Sequence, residues 1–108
     1  MDKDIQIIVR GVENPNHLRE FAQEKVHRAI ERFDSHVMNA TLRLEDETGP
    51  GKGGIDKICS LEVKLRTGDV RIKEQADHFE AAIHTGCDRL KAALSREVGR
   101  AKHGVAEG

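Results

Sequence analysis

The chain has 108 residues, with 18 Lys and Arg against 19 Asp and Glu, 37% hydrophobic residues and 34% charged ones. That length fits one domain, because a second core of ordinary size needs roughly another hundred residues. No apolar run approaches the roughly 18 residues of a membrane-spanning helix, Met1-Asp2-Lys3-Asp4 leads into no secretory signal, and Cys59 and Cys87 suit neither a disulfide scaffold nor a Cys-rich zinc site.

Along the chain, Ile5, Ile7 and Val9 alternate with Gln6 while Ile8 fills the other face, which predicts a strand over residues 4–10 that Gly11 ends. Asn14 before Pro15 is helix-start chemistry: an Asn side chain can accept from an orphan N–H, and Pro suits the first turn. Leu18, Phe21, Ala22, Val26, Ala29, Ile30 and Phe33 then recur at helical spacing and predict an amphipathic helix over 15–33, which Asp34-Ser35-His36 interrupts. Met38, Ala40, Leu42 and Leu44 alternate with Asn39, Thr41, Arg43 and Glu45, the period of a half-buried strand. The run Gly49-Pro50-Gly51-Lys52-Gly53-Gly54 predicts a hairpin loop. It is no phosphate loop, since no Ser or Thr follows Lys52 and a strand rather than a helix comes next. Cys59, Leu61, Val63 and Leu65 mark a further strand, Thr67-Gly68-Asp69 a turn, and Val70-Arg71-Ile72-Lys73 a short last strand. Asp77 with Glu80 resembles a capping box. Phe79, Ala82, Ile83, Cys87, Leu90, Leu94 and Val98 line one face of a long helix expected to fray near Gly99, or at latest at Gly104.

The order is β-α-β-β-β-α, an α+β fold. Each helix has one apolar stripe and each meander strand one apolar face, so both helices should pack side by side on one face of a four-stranded sheet. A right-handed crossover through the first helix sets the first two strands parallel. The opposite face, with Asn39, Thr41, Arg43, Ser60, Glu62 and Lys64, is left to water. The domain is expected to cover residues 1–103, with 104–108 a flexible tail.

A net charge of −1 gives no global attraction to nucleic acid, so recognition must rest on where charges sit. At about 100° per residue, Arg89, Arg96 and Arg100 fall within about 40° of one another on the outward side of the second helix. Lys91 and Lys102 add to them, and Glu97 is the only acid between residues 89 and 103. On the first helix Lys25, Arg28 and Arg32 share a flank of the apolar stripe, while Glu20, Glu24 and Glu31 share a back stripe. Should that flank face the second helix, two basic rows would border one groove. A rigid row of cations suits phosphate, whose binding releases counterions, whereas the bland reading is a solvated helix face.

Other chemistry is weakly signalled. The six histidines include no pair at i, i+4 and no Cys-x-x-Cys companion, so no metal is expected. Cys87 has only His84 as a conceivable base and reads as a buried thiol; Asn39-Ala40-Thr41 matches a glycosylation acceptor only formally. No carboxylate pair suggests acid–base work, so no enzyme, cofactor or small-molecule substrate is expected. Phe21, Phe33 and Phe79 all belong to apolar faces, which leaves no stacking platform for unpaired bases.

With these elements placed, the chain resembles the ribosome hibernation-promoting factor family, also described as ribosome-associated inhibitors. The resemblance spans about residues 5–102. It is carried by Leu18-Arg19-Glu20-Phe21 with Lys25, Arg28 and Phe33-Asp34, and by Phe79-Glu80-Ala81-Ala82-Ile83 leading into Asp88-Arg89-Leu90 and Leu94. The chain differs from the family's usual motif at Glu80 and His84, where Tyr and Asp are common, and at Glu97-Val98-Gly99, which break the basic helix end. The resemblance implies a cytoplasmic, non-enzymatic factor that docks in the messenger and tRNA channel of the small ribosomal subunit and silences translation in resting cells. It also implies ribosomal RNA phosphates held by Lys25, Arg28, Arg89, Arg96, Arg100 and Lys102; the charge map adds Arg32 and Lys91. Without a second domain of the kind that pairs ribosomes, a short, stand-alone form is expected. The alternative is a protein-interaction module on the same fold with little RNA affinity, and a thiol-based or metal-dependent enzyme is the distant third reading.

Overall fold

The computed structural model describes residues 4–12, 14–46 and 56–107, the side chains of residues 4 and 100–107 excepted. The strands are β1 (Asp4–Arg10), β2 (Val37–Asp46), β3 (Lys57–Leu65) and β4 (Gly68–Ala76), and the helices α1 (Asn16–Ile30) and α2 (Phe79–Glu107). They form one sheet in the order β1-β2-β3-β4, with β1 parallel to β2 and the remaining pairs antiparallel. The order β-α-β-β-β-α and the α+β class are those the sequence predicts.

The apolar alternation explains the layering. Ala40, Leu42 and Leu44 of β2, Cys59, Leu61, Val63 and Leu65 of β3, and Val70 and Ile72 of β4 all point to one side, where they meet the stripes of both helices. From α1 come Leu18, Ala22, Val26, Ala29 and Ile30; from α2 come Phe79, Ala82, Ile83, Cys87, Leu90 and Leu94. Burial of this contiguous apolar surface, at about 25 cal/mol per Å², is the main term holding the helices on the sheet. α1 lies over β1 and β2, and α2 over β3 and β4, so the helices lie side by side.

Local differences from the sequence reading have physical causes. Met38 does not join the core. A β-bulge shifts the register between Val37 and Asn39, so Val37 turns inward at 3% exposure and Met38 is left 59% exposed. The residue at the start of α1 is Pro15, with no side-chain cap bond, so Asn14 does not play the capping role. The last turn of the predicted first helix tightens into a 3-10 turn, Glu31–Phe33, that still buries Phe33. In α2 the Ala82 N–H donates to the His78 carbonyl at 3.1 Å, which closes the first turn on His78, one residue past Asp77. β4 is longer than Val70–Lys73, because Leu65 pairs with Gly68 and the hairpin turns on Arg66-Thr67 alone. Gly11 does end β1, with φ +77, a conformation that costs an L side chain roughly 1–2 kcal/mol.

α2 runs on to Glu107, past both glycines at which an end was expected. One glycine costs a helix only about 1 kcal/mol relative to Ala, and no Pro follows. The glycine-rich stretch 49–54 lies outside the described residues. At its borders, Lys57 Nζ sits 3.3 Å from Asp46 Oδ2 and 2.9 Å from the buried Asp56 Oδ1, which ties the end of β2 to the start of β3. The hydrogen bond to Asp56 leads the causes that hold the Lys57 ammonium above its ordinary pKa.

Candidate nucleic-acid interface

The packing of α1 against α2 decides which cations meet. Lys25, Arg28 and Ala29 of α1 and His84, Cys87, Asp88 and Lys91 of α2 line one shallow groove of about 140 Å³. Spacings of three and four residues place 84, 88 and 91 on a single helical stripe along the buried one, with the buried Cys87 at the boundary, which is why they surface at the junction between the helices.

Three cations thus face one carboxylate across the groove. Lys25 Nζ lies 5.6 Å from the centroid of the Phe21 ring, a cation–π contact that orients it. The Arg28 guanidinium donates to Glu24 Oε2 at 3.0 Å, with both side chains more than 60% exposed. Lys91 Nζ is 3.8 Å from Asp88 Oδ1, and His84 Nε2 is 3.6 Å from Asp88 Oδ2. Exposed pairs of this kind contribute only about 0–1 kcal/mol, so a phosphate can displace them cheaply. Cys87 forms the floor. Burial pushes its thiol up to about 11, with Lys25 pulling the other way, and burial pushes Cys59 up to about 12, so both thiols stay protonated and poorly nucleophilic at neutral pH.

The arginine row of α2 lies elsewhere. Arg89 stands more than about 100° around the helix from the His84–Lys91 stripe. Its guanidinium donates to the Glu74 carboxylate of β4 and, at 3.5 Å, to the Lys73 carbonyl. Arg96 is exposed and within about 20° of Arg89 on the wheel, on the β4 side of the helix. α1 has a matching contact at the opposite sheet edge, where Arg19 donates to the Ile7 carbonyl of β1 at 2.9 Å. Each edge strand therefore has a backbone carbonyl covered by a helix arginine, a device that blunts an open sheet edge.

Of the cations singled out from the sequence, Lys25, Arg28 and Lys91 come together. Arg32 sits in the 3-10 turn with its guanidinium 5.9 Å from the Phe33 ring, outside the groove. Arg89 and Arg96 flank β4. The side chains of Arg100 and Lys102 lie outside the described residues. His84 and Asp88 were missed as groove residues, although their four-residue spacing with Lys91 three further on marks a polar stripe. Among the described residues, no group of three or more His, Cys, Asp or Glu is placed to hold a metal ion, and no helix is long and apolar enough to cross a membrane.

The family model for sigma 54 modulation protein / S30EA ribosomal protein matches residues 5–102. The chain belongs to this family. Among solved structures, the chain is similar to a ribosomal subunit interface protein from Coxiella burnetii, with a TM-score of 0.73 and 22% identity over 89% of this chain and 98% of that one. It is also similar to the Thermus thermophilus Protein Y N-terminal domain, with a TM-score of 0.70 and 26% identity over 89% and 98% of the two chains. At its level of identity the first bears on the fold alone. No curated protein matches the chain.

Proposed function

We propose that this protein is a non-enzymatic, cytoplasmic ribosome-binding factor that docks on the small subunit through ribosomal RNA phosphates and holds ribosomes inactive in resting cells. The observation that carries the reading is the convergence of Lys25 and Arg28 from one helix with Lys91 from the other on a single groove, in a member of the S30EA ribosomal protein family. Arg32 and Arg96, which stand outside the groove, are proposed as separate phosphate contacts, as are Arg100 and Lys102, whose side chains lie outside the described residues, and Arg89 where its pair with Glu74 opens. Phosphate contacts position without reading sequence, which matches a face that has cations but no exposed aromatic ring.

The test is co-sedimentation of the purified protein with small ribosomal subunits at low and moderate salt. Wild type should bind, more weakly as salt rises, and a Lys25→Glu, Arg28→Glu, Lys91→Glu variant should stay in the supernatant with its fold intact. Undiminished binding by that variant refutes the groove. The pairs Arg28–Glu24, Lys91–Asp88 and Arg89–Glu74 favour a second reading, a protein-interaction module with little RNA affinity. A pull-down rich in one protein and free of ribosomal RNA would establish that instead.

A further inference from the structure

The face of the sheet turned away from the helices is mostly polar, with Ile8 of β1 and the buried Ile58 of β3 at its border, and its charges are ordered by the strand register. Arg43 of β2 pairs with Ser60 of β3, which pairs with Lys73 of β4, so a cation, a hydroxyl and a cation form one row across three strands. The row borders a shallow depression of about 290 Å³ that also takes in Thr41, Glu62 and Arg71. Arg71 is occupied: its Nε and a terminal nitrogen both lie 3.1 Å from Glu62 Oε2. Arg43 and Lys73 are exposed, and among the described residues neither ammonium nor guanidinium of this pair has a carboxylate partner. Once Glu62 and Arg71 cancel, the depression keeps two cations and two hydroxyls around a floor to which Leu61 and Ile72 contribute.

We infer that this depression is a second RNA-backbone contact, in which Arg43 and Lys73 take successive phosphates and the Ser60 and Thr41 hydroxyls bond phosphate or ribose oxygens between them. The inference rests on the RNA-binding reading of the helix groove and adds a surface on the opposite side of the domain. Two strand spacings, roughly 10 Å, separate the backbones that bear the two cations, a span suited to a nucleic-acid strand rather than one small anion. The face has no aromatic anchor of the kind that dominates protein–protein interfaces, because Phe21, Phe33 and Phe79 all pack on the helix side. A duplex read by its backbone and 2′-hydroxyls needs only cations and hydroxyls.

Arg43→Gln, Lys73→Gln is the decisive variant, since both side chains are exposed and neither supports the core; thermal unfolding should match wild type. Small-subunit affinity should fall roughly tenfold per lost phosphate contact at 0.1 M salt, and the slope of log K against log salt should shrink by about 2. In parallel, titration of a short RNA duplex followed by amide NMR should shift Thr41, Arg43, Ser60 and Lys73 in wild type and not in the variant. Wild-type affinity and slope in the variant, or duplex-induced shifts confined to α1 and α2, overturn the sheet-face contact while leaving the groove standing. Absence of any subunit or duplex binding by wild type overturns both.

Discussion

The Arg89 guanidinium separates a structural role from an RNA-binding one. Glu74, its partner on β4, has a side chain only 17% exposed, whereas Arg89 is 57% exposed. Replacing Arg89 with Met keeps the aliphatic stem over the sheet but leaves a mostly covered carboxylate without its cation and uncovers the Lys73 carbonyl. A fully exposed pair contributes at most about 1 kcal/mol, while breaking a buried one costs about 3–5 kcal/mol. This half-covered pair falls between them, so Arg89→Met should destabilise by about 1–2 kcal/mol, a fall in Tm of roughly 5–10 °C for a domain of this size. A double-mutant cycle with Glu74→Met isolates the interaction, because the double variant removes the stranded carboxylate and should recover part of the loss. Urea unfolding supplies the free energies, and co-sedimentation with small subunits supplies the functional readout. The reasoning is refuted if Arg89→Met unfolds like wild type yet loses subunit binding as completely as Lys91→Gln.

Further predictions concern the packing of α2 and the pH dependence of the core. A Cβ at Gly99 would meet nothing within 4 Å, so Gly99→Ala should stabilise by about 0.5–1 kcal/mol through helix propensity alone. A Cβ at Gly86 would lie 3.2 Å from Leu61 Cδ1 in the packed core, so Gly86→Val should destabilise by about 1–3 kcal/mol, and equal urea midpoints for the two variants would contradict this packing. Burial raises the native pKa values of Cys59 and Cys87 from about 9.0 to about 12 and about 11, above those of the unfolded chain. The stability linked to these thiols is therefore whole below about pH 9 and is lost as pH rises through the native values. Urea midpoints should fall from pH 9 upward, and less steeply in a Cys59→Ala, Cys87→Ala variant; identical slopes would refute the assignment to thiols.

Much of the architecture was legible because it depends on periodicity. The alternation of Leu42 and Leu44 with Thr41 and Arg43, and the helical recurrence of Ile83, Cys87, Leu90 and Leu94, each leave one arrangement that buries an apolar face. Exceptions arose where one residue changes phase or a cap. The bulge beside Met38 moves it to the surface because its inward place is filled by Val37, a choice that depends on the partner strand β3. Asn14 is a good cap by chemistry, yet the chain turns at Pro15.

The candidate site was legible only as an inventory. Residue order alone showed that cations gather on one helix flank and along the last helix, and gave no ground to expect a metal or a nucleophile there. Which cations meet was decided by the rotation of α2 about its own axis, which is set by the depth of Leu90 and Leu94 in the core. That rotation turns Lys91 toward Lys25 and Arg28 and turns Arg89 toward Glu74. The pairing of Arg43, Ser60 and Lys73 across three strands was likewise settled by register, because Arg43 and Ser60, 17 positions apart, and Ser60 and Lys73, 13 apart, become neighbours only when backbone hydrogen bonds align their strands.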